Sequence, residues 1–167
     1  MTASDINQWL AQSLPLYENL TAAVVSILES LLRVNNIDFL AVSGRTKTLE
    51  STTEKIRRKN YKDPKAQLTD LSGVRVILYF ESQVDRASKL IENSFRVDPK
   101  NSMNRDAILS IDQIGYRSVH YVCDLGQSRT CLPEYAHLVG LKFEVQLRTV
   151  LQHAWAELAH DLREPST

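Results

Sequence analysis

The chain has 167 residues, 43% of them hydrophobic, and its 20 Lys and Arg balance 20 Asp and Glu. That length suits one domain with a single sizeable core, and the neutral balance excludes a general basic field, so any polyanion must be met by a local patch. No run approaches the ~18 apolar residues of a spanning helix, and MTASDINQWL lacks the regions of a signal peptide, so the chain reads as cytosolic without a membrane partner.

Ser4 is placed to cap a short helix ending before Pro15. Leu16, Leu20, Val24, Ile27, Leu28, Leu31 and Leu32 then form the apolar stripe of a longer one, so residues 1–36 are expected as a helical packing segment. DFLAVSGR reads as a short strand ending in a glycine turn, and TLESTTEKIRRKN as a polar helix. GVRVILYF, apolar on both sides, is expected near the centre of a sheet. Ser82 and Asp85 have capping-box spacing for a helix carrying Val84, Ala87, Leu90 and Ile91. FRVD is a brief strand, residues 99–114 an irregular loop, YRSVHYVCDL a strand and residues 126–139 a second loop. In GLKFEVQLRT, Leu141, Phe143, Val145 and Leu147 alternate with Lys142, Glu144, Gln146 and Arg148; the polar face of such a strand is either wet or lines a site. VLQHAWAELAHDL puts Leu151, Ala154, Leu158 and Leu162 on one side of a last helix. The pattern predicts a mixed sheet flanked by helices, α+β or α/β. Cys123 in a strand and Cys131 in a loop, with no C-x-x-C pair, read as idle thiols rather than a disulfide or zinc site.

Polar residues gather in three places. Between Ser43 and Lys62 lie Arg45, Lys47, Lys55, Arg57, Arg58, Lys59 and Lys62 against only Glu50 and Glu54. Ser51, Lys55 and Lys59 recur every four residues, so this face is either solvated or grips phosphates with a hydroxyl and ammonium groups. In LTDLSGVRV, Asp70 stands at the mouth of a strand, where it serves as a turn residue or, paired with Glu144, as a ligand for Mg²⁺, which takes hard oxygen ligands and shares the rest with phosphate and water. No G-x-x-x-x-G-K-[ST] loop is present, so phosphate chemistry here would be that of a nucleotidyltransferase. In IGYRSVHYV, Tyr116 offers a face for a base or sits at the core rim, and Arg117, Ser118 and His120 offer donors.

Together these blocks, R-x-K-x-x-x-S-x-x-x-K at Arg45, Lys47, Ser51 and Lys55, D-x-x-G-x-R at Asp70, Gly73 and Arg75, GYRSVH at 115–120, and E-V-Q-L-R-T at 144–149 running into H-x-W-A-E at 153–157, resemble the synthetase domain of RelA/SpoT-type proteins, closest to the small alarmone synthetases. The resemblance spans roughly residues 40–162 as the catalytic region of a single synthetase domain, 1–167. It implies a DNA polymerase beta-like nucleotidyltransferase fold and a GTP/GDP pyrophosphokinase, transferring the β,γ-pyrophosphate of ATP to the 3′-hydroxyl of GDP or GTP to give (p)ppGpp and AMP. By position, Asp70 and Glu144 would hold Mg²⁺, with Glu144 also a base for the 3′-hydroxyl. Arg45 and Arg75 would sandwich adenine. Lys47, Ser51, Lys55 and Lys59 would hold ATP phosphates, Tyr116 would stack on guanine, and His120, Gln146 and His153 would line the acceptor side. His153, Glu157 and His160 have metal-like spacing, but that helix serves packing and acceptor contacts in the family.

One segment departs from the family pattern: DAILSIDQI stands where an N-P-K-P-N-like stretch precedes GYRSLH, leaving Lys100 and Arg105 as upstream cations if the loop folds inward. Two further readings therefore stay open, a toxic relative that uses the 3′ end of tRNA as acceptor and a non-catalytic nucleotide-binding module. A homo-oligomer is admitted, although the Y-K and further C-terminal helices of many relatives do not follow H-D-L here.

Overall fold

Thr2 caps a 32-residue helix, α1 (Ala3–Val34): its hydroxyl accepts from Asp5 N at 3.2 Å, and the Asp5 carboxylate accepts from Thr2 N at 2.8 Å. The computed structural model describes residues 2–102 and 118–161, and it has one helix where the sequence predicts two, capped two residues before Ser4. An interior proline costs a helix ~3 kcal/mol or more in the general case. Here Pro15 and Ala11, the residue whose carbonyl loses its partner, are both exposed, while Leu10, Tyr17, Leu20, Val24, Leu28 and Leu32 are buried. The orphaned carbonyl lies on an exposed turn where solvent can reach it, and burial of the long stripe keeps both halves in line.

After α1 come β1 (Phe39–Thr46), α2 (Leu49–Lys59), a one-turn α3 (Pro64–Gln67), β2 (Ser72–Leu78), α4 (Glu81–Ser94), β3 (Arg96–Val97), β4 (Val119–Asp124), a one-turn α5 (Gln127–Thr130), a 3-10 turn (Ala136–Leu138), β5 (Phe143–Thr149) and α6 (Val150–Asp161). Among the described residues the strands form one sheet in the order β1-β2-β5-β4-β3, with β2 and β5 parallel and the other neighbours antiparallel. This is the expected mixed sheet of an α+β fold, with β2 in its interior. Cross-strand partners project to the same side. Val74, Val76, Tyr121, Phe143, Val145 and Leu147 are buried on one face, against α1 and α4. Ser43, Arg45, Gly73, Arg75, His120, Glu144 and Gln146 share the opposite face by register.

Four local expectations are corrected. Gly44 lies within β1, not in a turn: a Cβ there would stand 2.5 Å from Thr21 Cγ2 and 2.8 Å from Val25 Cγ2, so the glycine lets α1 approach the strand. Ser82 does not cap α4, which begins at Glu81; Gln83 Oε1 instead accepts from the backbone N–H groups of Tyr79 and Phe80 at 3.0 and 3.1 Å. The segment 126–139, expected as plain loop, contains α5 and the 3-10 turn. Helix α6 buries none of its residues, and Leu151 and Leu158 are 80% and 59% exposed, because periodicity marks an apolar stripe without saying that anything covers it. Leu162 lies outside the described residues. Cys123 is buried, Cys131 is exposed, and both are free. Among the described residues no helix is long and apolar enough to cross a membrane.

Candidate active site

A buried knot of hydroxyls fixes the base of the site. Thr21 of α1 donates to Tyr17 O at 2.8 Å, and its oxygen also meets Thr46 Oγ1 at 2.8 Å and Ser72 Oγ at 2.6 Å. Thr46 and Ser72 pair across β1 and β2, and Lys47 N donates to Leu71 O at 2.9 Å just beyond them. The two segments leaving this knot therefore carry Lys47 and Asp70 side by side. Thr48 caps α2 by accepting from Ser51 N, which brings the first turn of that helix to the same place.

A cleft of about 610 Å³ opens here, lined by Arg45, Lys47, Ser51, Lys55, Asp70, Arg75, Glu144 and Gln146 from the expected set, with Ser43, Glu54 and Arg58 in addition. Lys59 does not line it. At 100° per residue, Arg58 stands seven places from Ser51 and nearly in line with it, whereas Lys59, eight places on, has turned about 80° away. A count of i, i+4, i+7 instead of strict fours would have found Arg58. Ser43 follows from register, since it pairs with Arg75. Tyr116, Arg117 and Arg105 lie outside the described residues. His153 is half-buried on α6 and does not line the cleft; its Nδ1 is buried without a hydrogen-bond partner among the described residues.

Asp70 is the electrostatic centre. Its Oδ2 accepts from Lys47 Nζ at 2.5 Å and from Lys55 Nζ at 2.7 Å. Burial alone would push the Asp70 carboxyl up; the two ammonium groups outweigh it and hold the group below its ordinary value. Burial wins at Lys47, whose ammonium is lowered despite Asp70, while at Lys55 the attraction of Asp70 exceeds burial and the group is raised. Asp70 Oδ1 is buried with no hydrogen-bond partner among the described residues. One oxygen is thus engaged by lysines and the other is available to a hard cation. Among those residues no three His, Cys, Asp or Glu gather as a metal site. The donor set fits a cation resting on Asp70 and Glu144 that takes its remaining ligands from phosphate and water, as Mg²⁺ does.

The polar face of β5 is engaged residue by residue. Lys142 donates to Asp98 at 2.5 Å, and His120 Nδ1 meets Glu144 Oε1 at 2.9 Å. Gln146 receives Arg75 Nε at 3.1 Å and reaches His120 Nε2 at 3.0 Å. Burial first, then the neighbouring Arg75 charge, lowers the proton affinity of Arg148. Arg75 also reaches Glu157 of α6 at 3.9 Å, an exposed pair of small worth that no sequence signal announced. His120 does not line this cleft, and its Nδ1 lies 2.9 Å from Glu144 Oε1.

Asp98 carries a testable consequence. Hydrogen bonds from Lys142 and then Asn101 pull its carboxyl down to about 2 from 3.8. A lowered carboxylate contributes stability that is present above its unfolded value and lost as pH falls through the folded one. Urea melts between pH 5 and 2 should therefore show a decline below about pH 4, and Asp98→Asn should flatten it. An unchanged slope in the variant would remove Asp98 as its source.

Comparison with known proteins places the chain in a family. The family model described as the region found in RelA / SpoT proteins matches residues 44–166. GTP pyrophosphokinase YwaC of Bacillus subtilis (strain 168) is 30% identical over 123 residues, 71% of this chain and 55% of that protein. GTP pyrophosphokinase YjbM of the same organism is 31% identical over 122 residues, 72% and 54% of the two chains. The chain thus spans about half the length of these curated relatives. The crystal structure of small alarmone synthetase 1 from Bacillus subtilis superposes with a TM-score of 0.71 at 22% identity, covering 93% of this chain and 78% of that one. The same synthetase bound to its product pppGpp gives 0.72 at 23% identity, covering 93% and 79%. At these identities the likeness is one of fold, the nucleotidyltransferase-like fold. The match over residues 44–166, with the cleft residues ordered along it, makes the chain a member of the RelA/SpoT family.

Proposed function

We propose that this chain is a pyrophosphokinase that transfers the β,γ-pyrophosphate of ATP to the 3′-hydroxyl of GDP or GTP, within one synthetase domain whose catalytic region is residues 40–162. The observation that carries the reading is the convergence in one cleft of Asp70 and Glu144 with Lys47, Lys55 and Arg58. Carboxylates for a divalent cation beside cations for a polyphosphate are what phosphoryl-type transfer requires. The relatives named GTP pyrophosphokinase and the pppGpp-bound synthetase support the choice of acceptor.

In this reading Lys47 and Lys55 leave Asp70 for the ATP phosphates, with Ser51 and Arg58 alongside, and Asp70 and Glu144 hold Mg²⁺. When bound, Mg²⁺ would neutralise phosphate charge and polarise the transferred group. Glu144 receives the proton of the 3′-hydroxyl, and His120 steadies its other oxygen. Arg45 and Arg75, from neighbouring strands and on one face, bracket the adenine. Each should contribute roughly 1–2 kcal/mol, so Arg45→Ala or Arg75→Ala is expected to weaken ATP binding about 5–30-fold by calorimetry. Lysine should not restore it, because an ammonium cannot stack as a planar guanidinium does; normal ATP affinity in Arg75→Lys would show that charge alone is used.

The deciding experiment offers γ-phosphate-labelled ATP with GDP, GTP or deacylated tRNA, at low and raised ionic strength. Label should pass to GDP or GTP with AMP released, and Tyr116→Ala should lower kcat/KM for the guanine nucleotide about 5–150-fold through lost stacking. Label appearing only in tRNA, with steep salt dependence, would change the acceptor and keep the fold. No label in any acceptor would remove the enzymatic reading.

A further inference from the structure

Hydrogen-bond direction favours one proton arrangement for the chain Arg75–Gln146–His120–Glu144. Arg75 Nε–H can only donate, so the Gln146 atom 3.1 Å away is the carbonyl Oε1 and the amide NH₂ faces His120. That NH₂ donates to His120 Nε2 at 3.0 Å, so Nε2 carries no proton. Nδ1 is therefore the nitrogen that carries a proton toward Glu144 Oε1, 2.9 Å away. Ser118 Oγ lies 2.6 Å from Nε2, but a hydroxyl donates or accepts equally well and selects neither tautomer. The amide decides.

We infer that Gln146 is a positioning residue: held by Arg75, it selects the Nδ1–H tautomer of His120 that steadies Glu144. Gln146 uses its oxygen on Arg75 and its NH₂ on His120, and both nitrogens of His120 are engaged within the protein. The four side chains come from adjacent strands β2, β5 and β4, on one face of the sheet, so rigid backbone sets their spacing. Arg75 is proposed above for the adenine and Glu144 for the 3′-hydroxyl, so the chain joins the donor side to the acceptor side. These roles rest on the proposed function, whereas the proton arrangement does not.

The test begins without nucleotide or turnover. In protein labelled with ¹⁵N at histidine, long-range proton–nitrogen correlation reports the tautomer of His120, assigned by loss of its signals in His120→Ala. The wild-type ring is expected as Nδ1–H. Gln146→Glu keeps the shape and replaces the donor with an acceptor, so Nε2 should become protonated. Arg75→Ala does not touch His120, yet it frees the amide to turn and should yield a mixture of tautomers. An Nε2–H ring in the wild type, or an unchanged ring in both variants, overturns the inference. In kinetics, Gln146→Met is expected to lower kcat about 10–100-fold while KM for ATP and for GDP or GTP stays within about twofold. A rise in KM at constant kcat would make Gln146 a nucleotide ligand and overturn it equally. Should the wild type transfer no pyrophosphate, the proposed function fails and the ring signals alone decide this inference.

Discussion

Glu144→Gln and Asp70→Asn should each lower turnover by ~10²-fold or more, because each removes a charge aimed at the polyphosphate and its cation. The two variants should differ in every other respect. One Glu144 oxygen lies 2.9 Å from His120 Nδ1, and Gln keeps the shape and an acceptor, so the melt and ATP affinity should stay close to wild type. Asp70 is the partner of both Lys47 and Lys55, three groups whose side chains are only about a quarter exposed: 26%, 21% and 24% for Lys47, Lys55 and Asp70. Replacing it leaves two half-buried ammonium groups facing each other, which should lower the melting temperature. It also frees both lysines for phosphate, so ATP without a divalent cation should bind Asp70→Asn at least as tightly as wild type. Turnover loss with retained or improved nucleotide binding separates a metal role from a binding role. Near-normal turnover in either variant would remove that carboxylate from the mechanism. The double variant should be little worse than the worse single one, since the two carboxylates act as a unit.

How much of this was legible beforehand depended on the range of the interaction. Period-two alternation in β5 is local, and the burial of Phe143, Val145 and Leu147 beneath the polar row of Glu144 and Gln146 follows it directly. The partner of that row was not legible. Arg75–Gln146 spans 71 residues and Lys47–Asp70 spans 23, and only the sheet order brings them together. Where local signals conflicted with packing, packing won. Pro15 reads as a helix boundary, but a stripe continuing on both sides of it outweighs one lost hydrogen bond on a wet face. The apolar positions of α6 read as one side of a helix, and Leu151 stays outside because no layer lies over it among the described residues. The site blocks were recognisable as residue types in order; that one Asp70 oxygen holds both Lys47 and Lys55 needed the geometry.

Gly44→Ala is expected to destabilise the fold by about 1–3 kcal/mol, the range for inserting a methyl group into a filled interior. The added Cβ would meet Thr21 Cγ2 at 2.5 Å and Val25 Cγ2 at 2.8 Å, and neither is the loose end of a flexible chain. Both are β-branched helix residues with stiff χ1. Thr21 cannot rotate away without breaking bonds to Tyr17 O, Thr46 and Ser72, the knot from which Lys47 and Asp70 emerge. Relief must therefore come from lifting α1 off β1, which would disturb Arg45 and Lys47 on either side of that knot. The variant should melt lower and, well below its melt, bind ATP more weakly than wild type. Thr21→Ser drops the offending methyl and keeps the hydroxyl, so the Gly44→Ala/Thr21→Ser double variant should recover part of the lost stability, and adding Val25→Ala should recover more. Such non-additivity is the signature of a direct contact. Equal destabilisation by Gly44→Ala with and without Thr21→Ser would mean that the strand, and not its approach to α1, requires the glycine.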